Sequence, residues 1–252
     1  MAEIKRIAED RLRYLSGEKG FNLIYLEKDY FLTALLYLIK DLEGIYFKGG
    51  TALNKIYLDH TRLSEDLDFT CKGKMSSIQI QILNMLEENR KIFPKQAFDR
   101  KTSDYLRLKV HYKSFFKKTD YIILDVNRKA SLILDAARRK VPHFYESIPE
   151  FRVNTLNIEE LVAEKVRALI TRNQPRDYFD VYMILEKGYT VDLDLVKRKL
   201  SDINQEFNHE RIFKNADKIY SNWERNIGQL TNKPVDFMKV IKKLQKEFRY
   251  KS

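Results

Sequence analysis

Two aspartates, Asp66 and Asp68, are separated by one apolar residue at the start of a short, mostly apolar segment, residues 66–70. In a β-strand, side chains two positions apart point to the same side of the sheet, so we expect their carboxylates to converge. Two carboxylates this close repel each other unless a proton or a cation lies between them. Mg²⁺ prefers such oxygen ligands and often shares them with a substrate phosphate, so the pair is a candidate site for Mg²⁺ or Mn²⁺. The D-x-D spacing alone is weak evidence, because surface strands often carry it.

A third aspartate, Asp125, interrupts the apolar run YIILDVN at residues 121–127. A carboxylate in a buried strand costs free energy unless it is paired or binds a metal ion. If this strand lies beside Asp66 and Asp68, three carboxylates meet, and two divalent ions could support an in-line phosphoryl or nucleotidyl transfer. The alternative is a buried salt bridge between Asp125 and an arginine such as Arg62.

Two glycines, Gly49 and Gly50, follow the apolar run IYFK and precede a helical pattern. Backbone N–H groups at a helix N-terminus bind anions, and glycines let a triphosphate approach without a Cβ in the way. The hydroxyl of Thr51 could cap the helix or contact a phosphate. The segment is not a Walker P-loop, because Lys48 precedes the glycines instead of following them. The alternative for the glycines is a plain tight turn.

Hydrophobic periodicity predicts the elements that must position these residues. In the first half we expect helices at 28–43, 52–60 and 75–92, and strands at 45–48, 67–70, 105–113 and 121–127. From about residue 157 only helical patterns follow, at 157–170, 175–188, 192–203, 208–227 and 234–249. The predicted fold class is therefore α/β (α+β): an N-terminal domain with a mixed sheet, residues 1–150, plus an all-helical C-terminal domain, residues 151–252, that completes a cleft.

The composition limits the class of protein. The 252 residues include 44% hydrophobic residues, enough for a sizeable core, and a single cysteine, Cys71, which excludes a disulfide framework within the chain and a cysteine-based zinc cluster. No apolar run is long enough to span a bilayer, and the first residues lack the apolar core of a signal peptide, so we expect a cytoplasmic protein without a membrane partner. A formal net charge of +11 favours partners that carry phosphate, although a merely lysine-rich surface is the alternative.

Four motifs occur in order between residues 48 and 180. They are KGGTALNKIY, RLSEDLDF, a K-x-x-A-L-x-x-R segment at residues 165–172, and an R-D-x-x-D segment at residues 176–180. Together they resemble the signature of the AbiEii nucleotidyltransferase toxins, which include the MenT-type toxins and belong to the DNA polymerase beta-like nucleotidyltransferase superfamily. The resemblance implies that the glycine turn binds nucleotide phosphate. It also implies that the D-x-D and a carboxylate on a later strand, here Asp125, bind the metal ions.

Lys165 lies on the same side of its helix as Leu161 and Leu169. It could extend its ammonium group to solvent, or, as the resemblance implies, point at phosphate. Asp177 and Asp180 share one helix face; the resemblance implies a role near the reacting hydroxyl or in positioning Lys165, without deciding which of the two aspartates is the functional acid. A favourable interaction of Asp177 with the helix dipole is the alternative.

The candidate residues form four overlapping groups. The catalytic candidates are Asp66, Asp68, Asp125, Lys165 and Asp177; the nucleotide-binding candidates are Lys48, Gly49, Gly50, Thr51 and Lys165; the metal ligands are Asp66, Asp68 and Asp125; the supporting residues are Arg62, Ser64, Arg172, Arg176 and Asp180.

The resemblance implies a toxin that transfers a nucleoside monophosphate from an NTP to an acceptor, with Mg²⁺ or Mn²⁺ as cofactor. Some members of the family modify the tRNA 3′ end, and the basic composition suits tRNA as the acceptor. A cognate antitoxin protein is a further expected partner. The alternatives are transfer to a small molecule or a protein, or a non-catalytic protein that binds RNA or an antitoxin.

Overall fold

The computed structural model describes residues 4–129 and 131–249. The strands are β1 (Ile45–Lys48), β2 (Asp66–Cys71), β3 (Lys95–Lys101), β4 (Tyr105–Tyr112), β5 (Asp120–Asn127), β6 (Ala137–Lys140) and β7 (Arg152–Thr155). The helices are α1 (Glu9–Lys19), α2 (Leu23–Ile39), α3 (Gly49–Ala52), α4 (Met75–Glu88), α5 (Ile158–Thr171), α6 (Pro175–Glu186), α7 (Leu193–Ser201), α8 (Glu210–Phe213), α9 (Ala216–Trp223) and α10 (Phe237–Glu247). Two π-helical segments, Leu53–Tyr57 and Glu224–Gly228, continue α3 and α9. Within the described ranges, none of these helices is long and apolar enough to cross a bilayer.

The strands form one mixed sheet in the order β3-β4-β5-β2-β1-β7-β6. The pairs β2–β5 and β1–β7 are parallel, and the other neighbours are antiparallel. The mixed sheet predicted from the sequence is confirmed, and β2, which carries Asp66 and Asp68, lies at its centre. The sequence patterns do not predict β3, β6 and β7, because β3 and β6 are largely charged and partly or fully exposed, and β7 is short.

Strand β4 shows why one side of this sheet is apolar and the other polar. Its residues alternate between buried and partly exposed positions, as the sequence predicts for a half-buried antiparallel strand. Leu106, Leu108 and Val110 are fully buried in the core, whereas Arg107 and Lys109 are partly exposed on the opposite side. The alternation fixes the pairing register, because a slip by one residue would exchange the two sides.

The helix after the glycines begins earlier than predicted. Lys48 is its N-cap residue, so the prediction that Thr51 caps the helix is wrong. Thr51 lies within α3, and its buried hydroxyl donates to the backbone carbonyl of Asp66 at 2.6 Å. This hydrogen bond attaches the glycine segment to the strand that carries the D-x-D.

The change from mixed structure to helices comes slightly later than residue 150. Strand β7 belongs to the sheet and pairs with β1 through Phe47 and Thr155, and from Ile158 onward the described residues form helices. Buried side chains from both parts, such as Phe47 and Leu169, belong to one hydrophobic cluster. The division into two domains therefore stays a prediction, with β7 as a strand that falls in the part predicted to be helical.

Candidate active site

Four charged residues on adjacent strands form a row across the centre of the sheet. The strand registers pair Lys48 with Asp68, Asp68 with Asp125, and Asp125 with Arg107. Paired residues of neighbouring strands point to the same side of a sheet, so the row across β1, β2, β5 and β4 reads base, acid, acid and base. Asp66 lies on this side too, two residues before Asp68.

The carboxylates of Asp66 and Asp68 repel each other, and nearby cations compensate this repulsion only in part. The pKa of Asp68 is raised to about 7, first by burial and then by the charge of Asp66, while Lys48 and Arg172 oppose the shift. A divalent cation would relieve this repulsion, so the donor set of the pair fits Mg²⁺ or Mn²⁺. Within the described residues, however, no set of three Asp, Glu, His or Cys side chains is arranged to hold a metal ion.

Asp125 is bound by two side chains of β4. Both of its oxygens are bound by the guanidinium of Arg107, at 2.8 Å from Nε and 2.7 Å from Nη2, and the hydroxyl of Tyr105 donates to Oδ1 at 2.8 Å. Asp125 therefore has an arginine partner, which was the alternative to metal binding, but that partner is Arg107 and not Arg62. The sequence patterns did not identify Arg107 and Tyr105 as residues of the site. The signal available for them was their alternation with buried leucines along β4.

The two glycines lie directly against charged side chains. Gly49 has a positive φ of 76°, and a Cβ on it would overlap the carboxylate of Asp68. A Cβ on Gly50 would lie 2.5 Å from Nη2 of Arg62 and 3.1 Å from Oδ2 of Asp180. Both positions therefore require glycine because of close approach, whether or not a phosphate binds there.

Behind the glycines, two buried aspartates of α6 and three basic side chains form a charge cluster. Nζ of Lys165 lies 3.2 Å from Oδ1 of Asp177 and 2.9 Å from Oδ2 of Asp180. Arg62 binds Asp180 through two hydrogen bonds of 2.8 Å each, and Arg172 binds Asp177 in the same way. Lys165 is buried, so it does not extend to solvent; both aspartates contact it.

The cations keep both aspartates ionised. Burial alone would raise the pKa of Asp180, but Arg62 and Lys165 hold it well below its usual value. Burial likewise opposes ionisation of Asp177, and Lys165 and Arg172 lower its pKa. Two ionised aspartates fix the ammonium group of Lys165 beside Gly50, where a Cβ would be 3.5 Å from Nζ.

A small cavity opens between the glycines and α5. Its lining includes Lys48, Gly49, Gly50, Asp68, Lys165 and Arg172. Lys48 is held at 3.2 Å from Oε2 of Glu164, whose pKa is lowered because Lys48 and Lys199 outweigh the effect of burial. With Arg167, the cavity places four cations and the carboxylates of Asp68 and Glu164 around the glycine segment, an arrangement suited to an anion with a bound metal ion.

The remaining predicted residues lie near the cavity. Arg176 pairs with Glu65, and the hydroxyl of Ser64 is buried without a hydrogen-bond partner in the described part of the chain. The hydroxyl of Thr51 already donates to Asp66, so a phosphate contact there would require that bond to break.

The chain is similar to known proteins in sequence and in fold. Residues 30–244 match the family described as nucleotidyl transferase AbiEii toxin, Type IV toxin–antitoxin system. The structure is similar to JHP933 from Helicobacter pylori, with 21% identity, 91% of this chain and 92% of that chain covered, and a TM-score of 0.62. It is also similar to MenT4, a nucleotidyltransferase toxin from Mycobacterium tuberculosis, with 19% identity, 96% and 89% covered, and a TM-score of 0.67. At this identity the two structures show a shared fold.

A comparison with curated protein sequences gave no match. The match to the family nevertheless spans most of the sequence and includes all four motifs, which confirms the resemblance drawn from them. The chain therefore belongs to the AbiEii nucleotidyltransferase toxin family, and it is a nucleotidyltransferase.

Proposed function

We propose that this nucleotidyltransferase transfers a nucleoside monophosphate from an NTP to the 3′ end of tRNA, as the toxin of a toxin–antitoxin pair in the cytoplasm. The family implies an NTP substrate and a cognate antitoxin. The observation that carries the proposal is the Asp66–Asp68 pair, of which Asp68, with its pKa raised to about 7, lines a cavity together with glycines and cations. A phosphate chain with its metal ion matches both the acids and the bases of such a cavity.

Different residues of the site bind different parts of the substrate. Asp66 and Asp68 would hold Mg²⁺ or Mn²⁺, which lowers the charge on the triphosphate when bound. The backbone at Gly49 and Gly50 allows close approach of the phosphates, and Lys165 and Arg172 neutralise them from the side of α5. Asp177 and Asp180 act through Lys165, because they fix its ammonium group in place.

Asp125 is the proposed acceptor of the proton from the attacking hydroxyl, and pyrophosphate is the leaving group. Oδ1 of Asp125 accepts hydrogen bonds from Tyr105 and Arg107, whereas Oδ2 accepts one, from Arg107, so Oδ2 keeps a lone pair for the proton. Both partners lie on β4, the strand that pairs with β5.

The metal site is tested with Asp66→Asn and Asp68→Asn, which keep the side-chain volume and remove one charge each. We expect either substitution to lower incorporation of α-labelled NTP into total tRNA by roughly a thousandfold, because several kcal/mol of charge stabilisation are lost. Asp194→Asn is the control, since Asp194 is 88% exposed on α7. Full activity of either site variant in a folded protein would refute the assignment.

The acceptor is tested separately by offering the labelled NTPs to tRNA, to protein extract and to small hydroxyl-bearing molecules. Label in tRNA that is lost on removal of its 3′ end is the expected result. Label in proteins or in small molecules alone would contradict tRNA as the acceptor and leave the metal site untouched.

A further inference from the structure

Strands β4 and β5 have one side in the core and one side open, and β3 extends the sheet without a buried residue. On the core side, Leu106, Leu108, Ile122 and Leu124 are fully buried. The opposite side, here called the open face, carries the partly or fully exposed residues Lys95, Arg100, Tyr105, Arg107, Lys109 and Tyr121. This side of the sheet is continuous with the row that contains Asp125 and Asp68.

The open face carries more basic than acidic side chains. Arg100 of β3 lies directly opposite Arg107 of β4 in the strand register. Like charges opposite each other in a β-ladder destabilise it. Asp125 pairs with Arg107, and Asp99 pairs with Lys109 at 2.6 Å, so among the described residues the open face has an excess of two positive charges, from Lys95 and Arg100. An excess of positive charge on a sheet side complements a polyanion.

Aromatic rings lie between these cations. The guanidinium groups of Arg100 and Arg107 lie 5.4 Å and 5.8 Å from the centre of the Tyr105 ring. Nζ of Lys109 lies 5.5 Å from the centre of the Tyr121 ring, and Tyr121 is 36% exposed. Rings on which bases stack, interleaved with cations for the phosphates, characterise surfaces that bind single-stranded nucleic acid.

The open face is continuous with Asp125 and Asp68 of the candidate active site. The registers place Asp68, Asp125, Arg107 and Arg100 in one row across β2, β5, β4 and β3. Three strand spacings give this row a length of roughly 14 Å. A strand that lies along it would carry about four phosphate charges if its bases stay stacked, and its end would lie beside Asp125.

We propose that the open face binds the single-stranded 3′-terminal segment of the RNA acceptor, with Arg100 and Lys109 on its phosphates and Tyr121 stacked on a base. The proposal rests on the proposed function, since it assigns a location to the acceptor of that reaction. Arg107 is placed to exchange Asp125 for an acceptor phosphate, which would free the Asp125 carboxylate as the acceptor end arrives.

The test measures binding of fluorescein-labelled oligouridylate and oligoadenylate to the full chain by anisotropy, without NTP or metal ion. The variant Arg100→Gln/Lys109→Gln should bind both oligonucleotides at least tenfold more weakly. Its plot of log K against log salt concentration should be flatter by about 1.4, because each phosphate contact contributes about 0.7 on a single strand. Tyr121→Ala should lower affinity by roughly tenfold with an unchanged salt slope.

The matched control is Lys239→Gln/Lys242→Gln, which removes two exposed lysines from α10. It should bind both oligonucleotides as the native chain does. Native affinity in the Arg100/Lys109 variant, or an equal loss in the α10 variant, would overturn the proposal. Equal affinity for a duplex of the same length would overturn the assignment to a single strand.

The result of this binding test can be distinguished from the result of the test of the proposed function. Loss of oligonucleotide binding in the open-face variants together with absent NMP transfer by the native chain would support the surface and refute the reaction. Native transfer to tRNA with unchanged binding in the open-face variants would support the reaction and refute the surface.

Discussion

Gly50 lies against the buried guanidinium of Arg62, and this contact decides which residue the position tolerates. Arg62 is bound twice by Asp180 and donates a third hydrogen bond to the carbonyl of Leu63. Its side chain therefore cannot move aside without breaking a buried ion pair. The spacing of the glycines suggested a turn or a phosphate site, whereas the packing adds a structural requirement that the sequence does not reveal.

We expect Gly50→Ala to lower the free energy of unfolding by roughly 1–3 kcal/mol, because the added Cβ overpacks the Arg62–Asp180 pair. The measurement is urea unfolding followed by circular dichroism. Gly17→Ala is the matched control: Gly17 lies in α1, and a Cβ there meets no atom within 4 Å. The control should be stabilised by about 0.5–1 kcal/mol, as alanine favours helix. An equal effect of both changes would contradict the packing argument.

Residue spacing correctly predicted which carboxylates share a side of the sheet, because the two-residue period of a strand is local. The prediction for Asp66 and Asp68 required only that period. The partner of Asp125 was not predictable in the same way, because Arg107 reaches it through the register of β4 on β5, a pairing between residues 18 positions apart.

At the scale of elements, helix α5 is held in place by interactions of Glu160 and Glu164, and it also carries Lys165 of the candidate site. Glu160 accepts hydrogen bonds from the backbone of Ile133 and Leu134, at 2.9 Å each. Glu160 and Glu164 both pair with Lys199 of α7, which is fully buried. Through Glu164 this set of ion pairs extends to Lys48 beside the glycines. The position of α7 is thereby linked to the cavity.

We expect Lys199→Met to lower the free energy of unfolding by about 3–5 kcal/mol, since two buried carboxylates lose their shared cation. Lys197→Met is the comparison on the same helix: its lysine is 57% exposed and pairs with Asp194, so its loss should change stability by no more than about 0.5 kcal/mol. Both values come from urea unfolding at neutral pH. Similar values for the two variants would show that the buried pairs do not stabilise the helix contact.

At the scale of the whole molecule, stability depends on buried groups that stay neutral as well as on ion pairs. His60 is buried, and its Nε2 lies 3.0 Å from the carbonyl oxygen of Pro142, so the neutral ring donates there. Burial and then the charge of Lys55 lower the pKa of His60 to about 4, although Asp29 opposes the shift. The unfolded chain has the ordinary histidine pKa of about 6.5.

Because the folded pKa lies below the unfolded one, His60 contributes stability above about pH 6.5 that is lost as the pH falls toward 4. Between pH 7 and pH 5 the native chain should therefore lose roughly 2 kcal/mol more than His60→Gln, which can still donate to Pro142 but does not titrate. Urea unfolding of both proteins at the two pH values measures the difference. An equal loss in both would mean that His60 does not contribute to acid sensitivity.

The sequence by itself determined the family, the alternation of strands and helices, and the residue types at the site. These follow from local patterns: the two-residue period of a strand, the apolar stripe of a helix, and motifs of fixed spacing. The site residues come from segments between residues 48 and 180, and their order along the chain was readable without a structure.

Only the tertiary structure decided how the charges combine. It pairs Asp125 with Arg107, surrounds Lys165 with two ionised aspartates, attaches Thr51 to Asp66, and places Arg100 opposite Arg107. Each of these contacts joins different elements, so it depends on strand register and helix packing. A charge in a sequence can have many partners, and the fold selects one because only that arrangement buries the apolar sides and satisfies the buried charges together.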